Sequence, residues 1–235
     1  MAGGTTPVLE VIATTLEDAL AAERGGADRL ELVAAMEADG LLPDLALVAQ
    51  LRAAVALPIR VMLRSRSGFG TDAAELVVLC RAAERLRATG VEEFVFGFLT
   101  EDGQLDQAAM LALYAAAVPN RWTLHRAFDQ AVDAQQAWDT CRRLPGLDLI
   151  LSAGSRAGIG DGLEALCQRA AWQTADLHWL AGGGLRLEHI PVLRAAGIRQ
   201  FHSGRAVRRG GSWGGPVDEG LVRRLKEAMT RDTLL

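Results

Sequence analysis

Cysteine is scarce. Only Cys80, Cys141 and Cys167 occur in 235 residues, and no two of them have Cys-x-x-Cys spacing. Such an odd, dispersed set reads as reduced core thiols in a cytoplasmic protein rather than as a disulfide framework. No apolar run approaches the about 18 residues a membrane span requires, and the opening M-A-G-G-T-T-P has no basic region followed by an apolar stretch. Runs of one charge are also missing, with a net charge of −4 spread along the chain. Neither nucleic acid nor a membrane surface is therefore expected as a partner, and a small molecule is. H-x-H and H-E-x-x-H spacings are absent, which argues against metal-assisted hydrolysis.

The chain does hold eight strand-length apolar runs, at 8–13, 29–33, 59–64, 93–99, 122–127, 147–153, 177–182 and 200–203. Helical stretches separate them. Thr14-x-x-Glu17 and Asp72-x-x-Glu75 have the pattern of capping boxes, and Asp44, Asp106 and Asp133 suit N-caps. Glycine closes a helix just before a strand in E-R-G-G-A-D-R-L, R-A-T-G-V-E-E-F and R-A-A-G-I-R-Q-F. Eight βα units without a Pro-, Gly- or Ser-rich linker predict one (β/α)8 TIM barrel over residues 1–235. An open doubly wound sheet is disfavoured because no G-x-G-x-x-G follows the first strand.

Several strands carry expensive polar groups. Side chains alternate along a strand, so setting Trp122 and Leu124 against the helices turns His125 into the barrel. The same test turns Glu10, Glu31, Arg60, Met62, Arg64, Ser152, Gln200 and His202 inward. One reading is a structural Glu–Arg network across the first three strands. The other is a site at the C-terminal mouth, in which His125, Ser152 and His202 come late in their strands. After the seventh strand, A-G-G-G-L supplies Gly182, Gly183 and Gly184, and after the eighth, H-S-G-R supplies Ser203, Gly204 and Arg205. Loops at these two places often bind anions through free amides, although glycines also simply make tight turns. Arg64 and Arg66 would meet an anion from across the mouth, with a solvated turn the alternative for Arg66. Arg126 and Asp129 are expected to pair at the rim. The segment 208–216 carries Trp213 and reads as a lid or a subunit contact.

Taken together, G-G-A-D-R-L-E-L from Gly25, R-S-R-S-G-F from Arg64, L-H-R-A-F-D from Leu124, L-S-A-G from Leu151, A-G-G-G-L from Ala181 and F-H-S-G from Phe201 resemble the CutC family. The resemblance runs from first strand to last. It implies a cytoplasmic TIM barrel, a homodimer or larger homo-oligomer, and a part in copper homeostasis through copper binding. It points to Glu10, Glu31, Arg64, Arg66, His125, Arg126, Asp129, Ser152, Gly154, the glycines 182–184, His202 and Ser203. Members linked to copper(I) often carry cysteines just after the first-strand glutamate, whereas this chain reads E-V-I-A-T-T. That leaves Met62, His125 and His202 as the soft metal candidates inside the barrel. Beside copper ligation stands an enzyme for a small phosphorylated or anionic metabolite. In it Glu10 or Glu31 exchanges protons with His125, Arg64 stabilises developing charge, and the loops hold the anion. A binding scaffold without activity is a third reading.

Overall fold

A computed structural model describes residues 6–230. Eight parallel strands close into one barrel in sequence order, with β8 pairing back onto β1. The strands are β1 Val8–Ala13, β2 Arg29–Leu32, β3 Ile59–Met62, β4 Glu93–Phe96, β5 Arg121–Leu124, β6 Leu147–Ser152, β7 His178–Ala181 and β8 Gln200–Ser203. The helices are α1 Leu16–Arg24, α2 Leu45–Ala54, α3 Ala73–Ala88, α4 Gln107–Ala117, α5 Ala127–Gln130, α6 Ala134–Cys141, α7 Ile159–Arg169, α8 His189–Ala195 and α9 Glu219–Thr230. Strands 2 to 5 stop earlier than the apolar runs do. Arg64 and His125 therefore lie just past the ends of β3 and β5, at the C-terminal mouth.

Local chemistry sets the helix starts. Asp44, Asp72, Asp106 and Asp133 accept the amides of Ala46, Glu75, Ala109 and Gln136, each satisfying one of the donors left free in a first turn. At α1 the expected cap moves by one residue. Thr15 accepts the Asp18 amide at 3.1 Å, while Thr14 gives its own amide and hydroxyl to the Asp18 carboxylate.

Most of the apolar core lies between the barrel and its helices. There Phe96 and Trp122 stack with centroids 4.0 Å apart, and Trp138 and Trp172 pack around Trp179. Each fully buried large side chain of this kind stabilises the fold by about 2–3 kcal/mol. Inside the barrel the apolar groups are fewer. Ile12, Val33, Met62 and Val95 form one cluster, and Leu149, Leu151 and Leu180 another.

Strand β6 departs from simple alternation. Trp122 aligns with Leu147 but Thr123 with Leu149, so Asp148 is an extra residue in the ladder. Asp148 reaches inward to Arg60, and Leu149 and Leu151 then also face inward. Ser152 is consequently turned outward, a correction to the expectation that it faces the barrel interior.

Arg60 is fully buried near the N-terminal end. It binds Asp148 through two nitrogens at 2.8 and 2.6 Å, Glu93 at 2.9 Å, and the Thr123 hydroxyl. Burial opposes its charge, but these acids outweigh that and raise its pKa. A structural Glu–Arg network therefore exists: the Glu10–Arg29 pair joins β1 and β2, and the contacts of Arg60 extend it from β3 to β6. Arg29 also reaches Gln200 at 3.4 Å.

Candidate functional site

Above that floor a cavity of about 680 Å³ opens at the C-terminal mouth. Glu31, Met62, Arg64, His125, Arg126, Gly183, Gly184, His202, Gly204 and Arg205 all line it, so these residues come from five of the eight strand ends. Arg156, Arg186 and Trp213 line it as well, none of them in the set anticipated for binding.

On one side stand two carboxylates and a histidine. His202 Nδ1 lies 2.8 Å from Glu10 Oε1, and its Nε2 lies 3.7 Å from Glu31 Oε2. The three sit on β8, β1 and β2, brought together because Glu10 aligns with His202 in the β1–β8 ladder. Their environments diverge sharply. Burial would raise the Glu10 carboxyl, but the Arg29 guanidinium and the His202 ring overrule it and hold it far below the carboxylate range. Among the described residues Glu31 has no guanidinium in hydrogen-bond contact, and burial pushes it up from 4.5 to about 7, against the opposing His202 charge and with help from the Glu10 charge. Burial also opposes charging of His202, yet Glu31 and Glu10 together raise its pKa. Of the two carboxylates, Glu31 lines the cavity and Glu10 does not.

Across the mouth is His125. Its Nδ1 accepts the Ala127 amide at 3.2 Å, which assigns the ring proton to Nε2. That Nε2 is buried and has no hydrogen-bond partner among the described residues. Burial, reinforced by the nearby Arg64 charge, lowers the imidazole pKa to about 3, so the ring is neutral. Phe69 packs against it edge-on at 5.2 Å. Arg64 donates from Nε to Gly68 O and from Nη1 to the carbonyls of Ala38, Asp39 and Gly40. Its role is thus to hold two mouth loops and to place a positive charge beside His125.

The cationic rim is formed by other arginines. Arg205 is exposed on the cavity edge, and its guanidinium makes no ion pair or hydrogen bond among the described residues. Arg156 and Arg186 line the same cavity. The amides of Gly183, Gly184 and Leu185 make no hydrogen bond among the described residues, and the N-terminus of α7 at 158–160 faces the same space. Gly183 has φ +77, and a Cβ there would lie 3.0 Å from Ala153 and 3.1 Å from the Arg126 guanidinium, so this position requires glycine.

Four expected site residues are placed elsewhere. Arg66 points away and pairs with Asp72 at 2.9 Å and Glu75 at 2.7 Å. Ser203 is buried outside the cavity lining, as is Gly182, whose missing side chain leaves room for His202. Ser152 gives its hydroxyl to Asp129 at 2.6 Å and accepts the Gly154 amide at 2.9 Å. Asp129 also takes Arg126 Nε at 3.0 Å, as the rim pairing anticipated, and the Ala153 amide at 2.8 Å. Ser152 and Asp129 therefore shape the β5 and β6 loops from beneath.

Segment 208–216 forms a wall rather than a loose flap. Arg208 is buried and binds Asp18 at 2.6 Å, Asp18 in turn accepts the Val217 amide at 2.9 Å, and residues 208 and 217 form a bridge. Trp213 then sits 5.3 Å over Arg208 and beside Gly204, where a Cβ would come within 2.2 Å of its ring.

The CutC family pattern matches residues 7–207. The chain belongs to the CutC family. A family protein CutC of Klebsiella pneumoniae (strain 342) is 36% identical over 198 residues, covering 83% of this chain and 79% of that protein. The human "copper homeostasis protein cutC homolog" is 31% identical over 207 residues, covering 87% of this chain and 76% of that protein. Among solved structures, the putative copper homeostasis protein CutC of Streptococcus agalactiae superposes with a TM-score of 0.77 at 23% identity, over 85% of this chain and 98% of that one. A KGPDC of Streptococcus mutans shares the barrel with a TM-score of 0.61 at 17% identity, over 96% and 98% of the two chains.

For this CutC-family chain the three soft candidates do not form a copper(I) donor set. His125 presents a proton at Nε2, and exposing a lone pair there would set Nδ1–H against the Ala127 amide. Both nitrogens of His202 face carboxylates, and Met62 packs in an apolar cluster. The thiols lie on α3, α6 and α7, outside the barrel, and burial raises their pKa values. Among the described residues no three His, Cys, Asp or Glu side chains converge as a metal site. No helix among the described residues is long and apolar enough to cross a membrane.

Proposed function

We propose that this chain is an enzyme that moves protons on a small anionic metabolite at the C-terminal mouth of its barrel. The observation that carries the reading is Glu31, a buried carboxyl facing the cavity with its pKa pushed to about 7. A carboxyl poised there gives and takes protons at neutral pH, the condition general acid–base catalysis favours. The free amides of the β7 loop and the unpaired Arg205 supply the anion end. Phosphate or carboxylate groups fit that chemistry equally.

Binding of inorganic phosphate, followed by the fluorescence of Trp213, tests the anion end. Saturable quenching is expected, with affinity about 10-fold lower in Arg205→Ala, the loss of one charge-assisted hydrogen bond. Unchanged affinity in that variant, or no binding by the wild type, removes the reading.

Copper ligation is the second reading, favoured by the naming of the human and streptococcal relatives. Titration of the reduced protein with copper(I) against a competing chelator, beside His125→Ala/His202→Ala, separates the two. Stoichiometric binding lost in the double variant would favour copper inside the barrel. Absent or unchanged binding would leave acid–base chemistry as the use of the mouth.

A further inference from the structure

We propose that the mouth enolises a carbonyl compound: Glu31 removes a proton from the carbon next to the carbonyl while His125 Nε2–H donates to the carbonyl oxygen. The inference rests on the acid–base reading above and narrows its substrate class to anionic aldehydes or ketones with a hydrogen on the adjacent carbon.

His125 carries the argument. A buried N–H left without an acceptor costs about 1–3 kcal/mol, so its retention points to an acceptor brought by a ligand. Because the Ala127 amide occupies Nδ1, the ring offers a donor and no acceptor toward the cavity. A neutral, fixed donor of this kind suits an oxygen that gains negative charge during reaction. Arg64 does not compete for that oxygen through Nε or Nη1, since loop carbonyls already take both.

The base stands on the other wall. Glu31 faces the cavity with His202 Nε2 at 3.7 Å, close enough for that imidazole to respond to a proton arriving on the carboxylate. An imine route to the same carbanion has no amine at the mouth among the described residues. The chain's single lysine, Lys226, lies on α9 and is held by Pro7 O at 2.9 Å and by Asp28. Trp213, pinned by Arg208 and Asp18, adds a flat apolar wall that suits a planar enolate.

The step balances without a co-reactant. The C–H electron pair becomes the C=C bond, the carbonyl π pair moves onto oxygen, and the proton rests on Glu31. Its return to the same carbon regenerates substrate or gives the epimer; where that carbon bears a hydroxyl, passage of the hydroxyl proton to the enolate oxygen and return of the carbon proton to the former carbonyl carbon gives the isomer.

Two probes test this. The first is dihydroxyacetone phosphate in D2O, read by proton NMR for exchange at the carbon beside the carbonyl. The second is phosphoglycolohydroxamate, a planar enediolate mimic, titrated by fluorescence against inorganic phosphate. Wild type is expected to catalyse exchange and to bind the hydroxamate at least about 100-fold more tightly than phosphate. Glu31→Gln should lose the exchange. His125→Asn, which keeps a group to accept the Ala127 amide but has no donor at the Nε2 position, should lose about 100-fold in exchange rate with phosphate affinity unchanged. His125→Gln restores a donor there and should recover part of the rate. Phosphate binding with no exchange and no preference for the hydroxamate would overturn enolisation and leave the anionic-metabolite reading standing. Absence of phosphate binding would bring down both.

Discussion

Replacing Glu31 with glutamine removes the ionisation that burial displaces into the neutral range. A carboxyl moved from 4.5 to about 7 on folding makes its charged form about 3 kcal/mol harder to hold in the native than in the unfolded chain. The sign follows from where the protons sit. Between pH 4.5 and 7 the folded chain keeps a proton on Glu31 that the unfolded chain has lost, so this contribution is full below 4.5 and gone above about 7. His125 acts oppositely. Its folded value near 3 means its contribution is present above 6.5 and lost as pH falls toward 3. The wild-type curve therefore sums opposing slopes, and the informative quantity is variant minus wild type, in which His125 cancels. His202 reinforces the difference, because the variant lacks the carboxylate that raises its pKa. Urea unfolding followed by tryptophan fluorescence at pH 4.5, 6, 7 and 8 should show the stability of Glu31→Gln relative to wild type rising by about 3 kcal/mol across the range. A difference constant to about 0.5 kcal/mol would mean Glu31 is ionised throughout, and the assignment of Glu31 as a proton carrier would be wrong.

Arg208→Met should lower unfolding free energy by about 3–5 kcal/mol, since it strands the buried Asp18 carboxylate; chemical denaturation checks this, and a loss under about 1 kcal/mol would show the strap is not anchored there. Gly183→Ala forces a positive φ on alanine against Ala153 and Arg126, so about 1–3 kcal/mol of stability and much of the phosphate affinity should go together. Ser152→Ala should cost about 1–3 kcal/mol by leaving Asp129 short of a donor, yet leave phosphate affinity unchanged, because Ser152 lies outside the cavity. Arg29→Met should destabilise by about 3–5 kcal/mol, and adding Glu10→Gln should restore most of it, since a neutral amide needs no guanidinium; a strictly additive double variant would contradict the pairing.

The barrel was legible in sequence because its signals are local. Aspartates at helix starts bond to amides two or three residues on, and glycines end helices before strands, so the eight units could be located without knowing what packs on what. Glu31, His125 and His202 were legible for a related reason, since charge inside an apolar run needs a partner or a use. What escaped depended on long-range geometry. The bulge at Asp148 shifts alternation by one and turns Ser152 outward, and nothing in L-D-L-I-L-S marks it. Arg66 looked available, but its partners Asp72 and Glu75 begin the next helix, where they also read as ordinary capping residues. Asp18 looked like any acid in a first turn, although it holds a strap 190 residues away. Trp213 sits in a glycine-rich stretch that reads as a lid or a subunit contact, and the buried Arg208 makes it a wall.

The division of labour between Glu10 and Glu31 shows how one barrel generates two carboxylates of opposite character from similar positions. They stand on neighbouring strands, both are buried, and both approach the same imidazole. Identical chemistry would leave them sharing a proton. Arg29 breaks the symmetry by binding Glu10 alone, so burial sets the character of Glu31, and the negative charge fixed at Glu10 adds to the cost of a second one there. The proton is thereby directed to the carboxyl that faces the cavity. A purely structural network has no need of that asymmetry, because an ion pair stabilises equally well with both acids paired. At Arg60, where the network is structural, Asp148 and Glu93 both bind the guanidinium directly. The contrast between those two layers of one barrel is the strongest physical reason to read the upper layer as chemistry and the lower one as scaffold.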